Sequence, residues 1–160
     1  MLSVHIICVG KMKEKFYIGA AEEYAKRLSA YCKLTITELT EERLPADPSQ
    51  AQIDAALARE GQAIQAKLPP NAAIVAMCVE GKTCSSPELA DQMLRWEQDS
   101  AKHIVFLIGG SCGLDESLKQ QARLRLSMSP MTFPHHLARV MLLEQIYRAA
   151  EITAGTRYHK

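Results

Sequence analysis

Two loop segments carry most of the residues that could perform chemistry. The first, GGSCG at residues 109–113, directly follows the apolar run IVFLI at residues 104–108. An apolar run without alternation predicts a strand that is covered on both faces, as in a parallel sheet. Glycines placed directly after such a strand let the backbone turn sharply and approach a ligand closely. The second segment, MSPMTF at residues 128–133, precedes a long apolar stretch. Ligands of open α/β sheets bind beyond the carboxyl ends of the strands, so the site is predicted here.

The glycine segment also satisfies the G-x-S-x-G pattern of a hydrolase nucleophile elbow, with Ser111 as the nucleophile. Asp115 and one downstream histidine could complete a triad, and Cys112 is a second possible nucleophile. The histidines available are His135, His136 and His159. The five-residue pattern has two free positions, no HGGG-like oxyanion segment precedes it, and Asp115 begins a predicted helix, where capping is its ordinary role. A small serine hydrolase therefore remains an alternative function.

A different interpretation treats both segments as backbone clamps around an uncharged or cationic cofactor. Pro130 and Pro134 stiffen the second segment, so its amides and carbonyls are ordered before a ligand binds. The flexible apolar side chains nearby would form an adaptable bed, although core packing is the ordinary role of each one. These side chains are Met77, Met128, Met131 and Phe133.

Strands alternate with helices along the whole chain, which predicts an α/β domain with a parallel sheet of about five strands and helices on both faces. We expect one domain covering residues 1–160. The strands are predicted near residues 4–9, 34–39, 72–79, 104–108 and 124–128. The strand near 34–39 alternates apolar and polar residues, which places it closer to the edge of the sheet. The four longer helices are predicted to end near residues 31, 68, 100 and 152.

The last predicted helix, about residues 135–152, is apolar on nearly all sides. A helix of this kind must be covered on more than one side. In a chain of 160 residues the cover could be a second copy of the same chain. We therefore predict a symmetric homodimer. The alternative is a central core helix in a monomer.

Composition places the chain among ordinary globular proteins, with 48% apolar and 23% charged residues. The five cysteines include no C-x-x-C pair, which favours a reducing, cytoplasmic setting and argues against a zinc site or a disulfide framework. No apolar run approaches the length needed to span a bilayer. We expect a cytoplasmic protein without a metal or membrane partner.

The formal net charge is only +1, but the charges are unevenly distributed. The last 40 residues contain six arginine or lysine residues and two glutamates, and Lys11 and Lys13 lie in a basic loop after the first strand. A local basic surface can bind phosphates even when the whole chain is nearly neutral. A solvated charged face is an equally good interpretation of this pattern alone.

Several segments together resemble one known family. IVFLIGGSCGL, LSMSPMTFPHHLARVMLLEQIYRA and the terminal RYHK are similar to the small ribosomal large-subunit methyltransferases of the SPOUT class, as are the VGKMKEKF loop and the EGK after the third strand. The resemblance covers essentially the whole chain. It implies a C-terminal trefoil knot at about residues 104–153, a tail at 154–160, a homodimer, and S-adenosylmethionine bound in the knot. The implied reaction is methylation of N3 of a pseudouridine in 23S rRNA, on assembled ribosomes.

The resemblance also implies roles for individual residues. The cofactor would be held by Met77, Gly109, Gly110, Met128, Ser129, Pro130, Met131, Thr132 and Phe133. In the tail, Arg157 would anchor phosphate, Tyr158 would orient the base, and His159 would take the N3 proton, because histidine titrates near neutral pH. The RNA contacts would come from Lys11, Lys13, His135, Arg139 and Arg148. A non-catalytic RNA-binding or ribosome-associated module is a further alternative.

Overall fold

A computed structural model describes all residues 1–160. Five strands and five helices alternate along the chain. In order they are β1 (Leu2–Val9), α1 (Lys15–Leu28), β2 (Cys32–Leu39), α2 (Gln50–Gln65), β3 (Ala72–Lys82), α3 (Ser86–Gln98), β4 (His103–Ile108), α4 (Glu116–Gln121), β5 (Leu124–Leu126) and α5 (His135–Thr153).

The strands form one sheet in the order β2-β1-β4-β3-β5, and every neighbouring pair is parallel. Helices α1, α3 and α5 pack on one face, and α2 and α4 pack on the other. The side chains of β4 from Ile104 to Ile108 are all buried, as a strand covered on both faces requires. The predicted five-stranded parallel sheet is confirmed, and β2 lies at its edge as expected.

Two helices begin where the sequence signals place them. The Ser49 side chain accepts the backbone N–H of Gln52, whose own side chain returns to the backbone N–H of Ser49. Ser85 and Glu88 form the same reciprocal capping box at the start of α3. Each box satisfies backbone donors that the first helical turn leaves without partners.

Several element ends differ from the sequence-based prediction: α2 ends at Gln65 instead of near residue 68, and β5 ends at Leu126 instead of near residue 128. Helix α1 ends at Leu28 instead of near Tyr31, whose hydroxyl donates to Glu151 at the far end of the chain. Strand β3 continues to Lys82 instead of ending at residue 79. Gly81 permits this extension, because a Cβ there would lie 2.7 Å from the carbonyl oxygen of Arg125 in the neighbouring segment.

Helix α5 packs against the sheet and lies between α1 and α3. Its most deeply buried apolar residues are Leu142, Leu143, Ile146 and Ala149, and none of residues 135–152 is fully exposed. The chain reaches this helix by crossing from β5, at the edge of the sheet, to the carboxyl end of β1. None of the helices combines the length and apolar character that crossing a bilayer demands.

Candidate functional site

A cavity of about 330 Å³ opens beyond the carboxyl ends of β3 and β4. Its size lies in the range of small-molecule sites. Except for Ser129 and Pro130, all residues predicted to hold a cofactor line its wall. They are Met77, Gly109, Gly110, Met128, Met131, Thr132 and Phe133. The structure therefore brings together two loops and one strand end that are far apart in the sequence.

The glycine loop is compact because its ends approach each other closely. The backbone N–H of Gly113 donates to the carbonyl oxygen of Gly110 over 3.1 Å, and Gly113 has a positive φ of 84°. A Cβ on Gly109 would collide with the carbonyl group of Gly113. Glycine at position 109 is thus required by the loop's own path, and the same path leaves backbone groups facing the cavity.

The second loop is held by hydrogen bonds from its own serines. The Ser127 hydroxyl donates to the carbonyl oxygen of Ser129 over 2.9 Å and accepts the Ser129 N–H over 3.2 Å. Ser129 in turn accepts the N–H of Met131. Ser129 therefore shapes the loop although it does not line the cavity. Met131 is 73% exposed at the rim, so core packing does not account for this methionine.

The cavity wall is mostly apolar, with one charged pair at its rim. Lys119 and Glu80 form an ion pair there, and the Glu80 carboxylate has a pKa below its usual range, chiefly because it accepts a hydrogen bond from Lys119. Sequence reasoning did not assign this pair to the site, although Glu80 follows the third predicted strand directly. Apolar side chains and backbone groups thus provide most of the lining, so a ligand here would be held mainly by packing and by hydrogen bonds to the backbone.

His135 belongs to the same wall. Its ring packs closely against Gly10 and makes an edge contact with His136 at a centroid distance of 4.3 Å. Burial, and then the nearby His136, lower the pKa of His135, so the imidazole is neutral at pH 7. Any contact of His135 with RNA would be a neutral hydrogen bond. Lys11 and Lys13 are exposed in the adjacent loop after β1.

Arg139 lies inside the protein, in contrast to the predicted RNA contact. The residue is only 3% exposed; Nη1 donates to Glu38 over 2.7 Å and Nη2 donates to the carbonyl oxygen of Gly10 over 3.1 Å. A phosphate contact would require the guanidinium to leave both partners. We therefore assign Arg139 a structural role, joining α5 to the ends of β1 and β2.

The tail folds back onto its own helix. The Tyr158 hydroxyl donates to Glu144 over 3.1 Å, and the Arg148 guanidinium lies 4.7 Å from the centre of the Tyr158 ring. Arg148 also forms an ion pair with Glu144 and donates to Nδ1 of His159 over 3.3 Å. Arg157 is exposed. Of the three predicted tail residues, Tyr158 and His159 thus contact Arg148.

A buried carboxylate holds the start of this tail. Glu151 is 7% exposed and accepts hydrogen bonds from the hydroxyls of Tyr31 and Thr156. Gly155 has a positive φ of 72°, which turns the chain out of the helix, as glycine commonly does after a helix.

The tail and the cofactor cavity remain separate within one chain. No residue from 154 to 160 lines the cavity of the glycine loop. Glu144, which holds Tyr158, instead lines a neighbouring cavity that shares Leu126 and Met128 with the first. The end of β5 therefore lies between the predicted catalytic residues of the tail and the predicted cofactor residues.

The structure does not assemble the triad of the hydrolase alternative. The Ser111 hydroxyl donates to the Glu41 carboxylate over 2.6 Å, and no histidine accepts from it. Asp115 accepts a hydrogen bond from Ser117 and not from a histidine. Ser111 thus lacks the general base that a serine nucleophile requires.

Comparisons with known proteins agree with this picture. A family model described as "Predicted SPOUT methyltransferase" matches residues 2–159. Three relatives are each described as "Ribosomal RNA large subunit methyltransferase H". They come from Leuconostoc mesenteroides subsp. mesenteroides (41% identical), Clostridium botulinum strain Okra (44%) and Clostridium novyi strain NT (45%). Each alignment covers 99% of this chain and 100% of the relative.

The fold is also similar to that of a solved structure, described as a probable methylase family protein from Haemophilus influenzae Rd KW20. The TM-score is 0.54 at 10% identity, over 98% of this chain and 70% of the other. Sheet, cavity and relatives together define a methyltransferase. The chain belongs to the SPOUT methyltransferase family. Membership confirms the resemblance and implies both the C-terminal trefoil knot and a methyl donor of the S-adenosylmethionine type.

Proposed function

We propose that this protein transfers the methyl group of S-adenosylmethionine to N3 of a pseudouridine in 23S rRNA. The observation that carries the proposal is the cavity at the carboxyl end of the sheet, walled by the glycine loop and by Met128, Met131, Thr132 and Phe133. The relatives at 41–45% identity are described as ribosomal RNA methyltransferases, which supports an rRNA substrate. We place the protein in the cytoplasm, where ribosomes assemble.

The residues around the cavity suit this cofactor. Met77, Met128 and Phe133 provide an apolar bed, and the glycine loop provides backbone groups at close range. S-adenosylmethionine supplies an electrophilic methyl group on a sulfonium centre. The protein's contribution is to hold this methyl group in line with N3, because alignment of the reacting atoms can account for much of such a rate enhancement.

N3 of pseudouridine is a poor nucleophile until it loses its proton, and we propose His159 as the base. In the docked tail, however, Nδ1 of His159 accepts a hydrogen bond from Arg148. A neutral imidazole in this arrangement carries its proton on Nε2 and has no free lone pair. The tail must therefore release Arg148 before His159, in either protomer, can accept the N3 proton.

The proposed RNA-binding surface combines the exposed Lys11 and Lys13 with Arg157 of the tail and with Arg148. One protomer offers few basic groups, so we propose that a homodimer is needed to hold the RNA. Weak binding of a bare hairpin would follow, together with a requirement for the assembled ribosomal particle.

The first test measures cofactor binding by calorimetry, with a glycine variant in the loop. We expect wild-type protein to bind S-adenosylmethionine with a Kd below ~100 μM, or about −5.5 kcal/mol. Gly109→Ala should abolish binding, because the new Cβ would collide with the carbonyl group of Gly113. Gly19→Ala is the control: Gly19 lies in α1 with open space around it, so this variant should bind normally and be stabilised by up to about 1 kcal/mol.

Transfer of a labelled methyl group is then compared on intact large subunits and on free hairpin RNA. We expect labelling of the particle by wild-type protein and by Gly19→Ala, and none by Gly109→Ala. Absence of cofactor binding at concentrations well above ~100 μM would contradict the proposed reaction. Efficient turnover on free RNA would contradict only the requirement for an assembled particle.

A further inference from the structure

Ser111 forms a contact that the proposed reaction does not use. Its hydroxyl and its backbone N–H both donate to the same oxygen of Glu41, over 2.6 Å and 2.8 Å. Glu41 lies just after β2, so the contact joins two loops that are 70 residues apart in the sequence. The serine of the G-x-S-x-G pattern, which suggested a nucleophile, therefore joins the glycine loop to Glu41.

The contact between Glu41 and Ser111 lies at the part of the glycine loop that has the least side-chain packing. Residues 111–113 are exposed, so side-chain packing does not fix their position. The Glu41 carboxylate also lies directly against Gly110, where a Cβ would come within 2.6 Å of the same oxygen. Ser111 lines the cofactor cavity and Glu41 does not. Glu41 can therefore influence a ligand only through the loop.

We infer that Glu41 is a positioning residue that latches the glycine loop through Ser111 in the conformation that binds the methyl donor. This inference rests on the proposed function, because it assumes that the loop holds the cofactor. Holding the loop in its binding conformation before the ligand arrives removes part of the ordering cost of binding. The latch should thus affect cofactor affinity and leave the chemical step unchanged.

The charge of Glu41 strengthens the latch. Burial by itself would raise the pKa of Glu41, but the two hydrogen bonds from Ser111 and the facing His135 and His136 outweigh it and lower the pKa. Glu41 is therefore ionised at pH 7, and hydrogen bonds to an ionised acceptor are stronger than neutral ones. Glu60 of α2 also faces this region.

The test measures binding of the product S-adenosylhomocysteine by calorimetry, and steady-state methylation of large subunits. We expect Glu41→Ala to raise the Kd about tenfold, equivalent to 1.4 kcal/mol, with a similar rise in the KM for S-adenosylmethionine. At saturating cofactor, kcat should stay within about twofold of wild type, because the reacting groups are unchanged. Ser111→Ala should weaken binding in the same direction.

Three further variants separate a latch from general damage to the fold. Adding Ser111→Ala to Glu41→Ala should cause little additional loss, because the Ser111 hydroxyl has already lost its acceptor. Ser111→Ala alone should weaken binding less than Glu41→Ala, because the backbone N–H at position 111 still donates to Glu41. Ser111→Thr keeps both donors and should bind more tightly than Ser111→Ala. Glu42→Ala is the matched control, since the Glu42 side chain pairs with Arg59 and not with the loop. Thermal unfolding checks that each variant is folded.

The possible outcomes are distinct. Normal cofactor binding by Glu41→Ala, or an equal loss in Glu42→Ala, would overturn the latch and leave the proposed function intact. Additive losses in the double variant would also overturn it. Failure of wild-type protein to bind either S-adenosylmethionine or S-adenosylhomocysteine would overturn the proposed function and the latch together.

Discussion

Arg139 shows how one buried side chain can hold together the segments around the site. Its planar guanidinium reaches Glu38 at the end of β2 and the carbonyl oxygen of Gly10 after β1, while its backbone belongs to α5. Arginine suits this position because its donors point in fixed, divergent directions. Gly10 has a positive φ of 101°, so it turns the chain where its carbonyl meets Arg139. The start of α5 is thus fixed beside the cavity.

We predict that Arg139→Ala lowers the free energy of unfolding by about 3 kcal/mol, the lower end of the range for breaking a buried ion pair. The lower end applies because the Glu38 side chain is 31% exposed and can recover part of its hydration. Arg148→Ala is the comparison, since the Arg148 side chain is 26% exposed, against 4% for Arg139, and its i,i+4 pair with Glu144 should contribute about 1 kcal/mol or less. Urea unfolding measures both, and equal losses would contradict a structural role specific to Arg139.

The ion pair between Arg139 and Glu38 also makes the free energy of unfolding depend on pH. Burial would raise the pKa of Glu38, but hydrogen bonds from Arg139 and from the Met12 N–H outweigh it, and the net pKa is lowered. Glu38 therefore stabilises the fold above its unfolded pKa, and this contribution disappears as the pH falls through the lowered folded value. Arg139→Ala should show a weaker loss of stability on acidification than wild type. Parallel pH profiles for the two proteins would contradict the assignment.

At the scale of elements, helix α5 and the tail form one hydrogen-bonded unit. Glu151 accepts hydrogen bonds from Tyr31, just before β2, and from Thr156 in the tail. The Tyr147 ring packs edge-on against Tyr158 at a centroid distance of 4.9 Å. The hydrogen bond with Glu151, and then burial, raise the pKa of Tyr147 to about 12. A change in this unit should therefore be visible both in tyrosine ionisation and in tail mobility.

We predict that Glu151→Ala shifts the most alkaline tyrosine titration from about 12 towards its ordinary value and frees the tail. Tyrosinate absorbance follows the first effect, and the rate of carboxypeptidase digestion follows the second. Glu144→Ala is the control, because Glu144 bonds Tyr158 and should leave the Tyr147 titration in place. An unchanged alkaline titration in Glu151→Ala would rule out Glu151 as the partner of Tyr147.

For the whole molecule, local patterns predicted the parallel sheet and both loops of the cavity, because strand burial, glycine and proline act within a few residues. They missed the extension of β3 to Lys82, which depends on a close approach between Gly81 and β5. They also missed the contact of Glu41 with Ser111 and the burial of Arg139, since both partners come from distant segments. The knot followed only from family resemblance, because threading leaves no local pattern in a sequence.

The side of α5 opposite its buried face is where we expect the homodimer interface. Leu137 lies nine residues before the buried Ile146, which places it on the opposite side of the helix, yet it is half-buried. Val140 and Met141 are also half-buried, and the nearby charges of Glu144 and Arg148 neutralise each other. Apolar residues beside a paired charge suit an interface formed by the same patch on two copies.

We therefore expect wild-type protein to sediment at twice the chain mass and Leu137→Glu to sediment as a monomer, because the isologous contact would place two added carboxylates near each other. The control is Ala55→Glu on α2, which packs on the other face of the sheet and should leave the dimer intact. If the dimer completes the site, Leu137→Glu should retain S-adenosylmethionine binding, since the cavity lies within one chain, and lose methylation of large subunits. A monomeric wild-type protein with full methylation activity would contradict both the dimer and its role in holding the RNA.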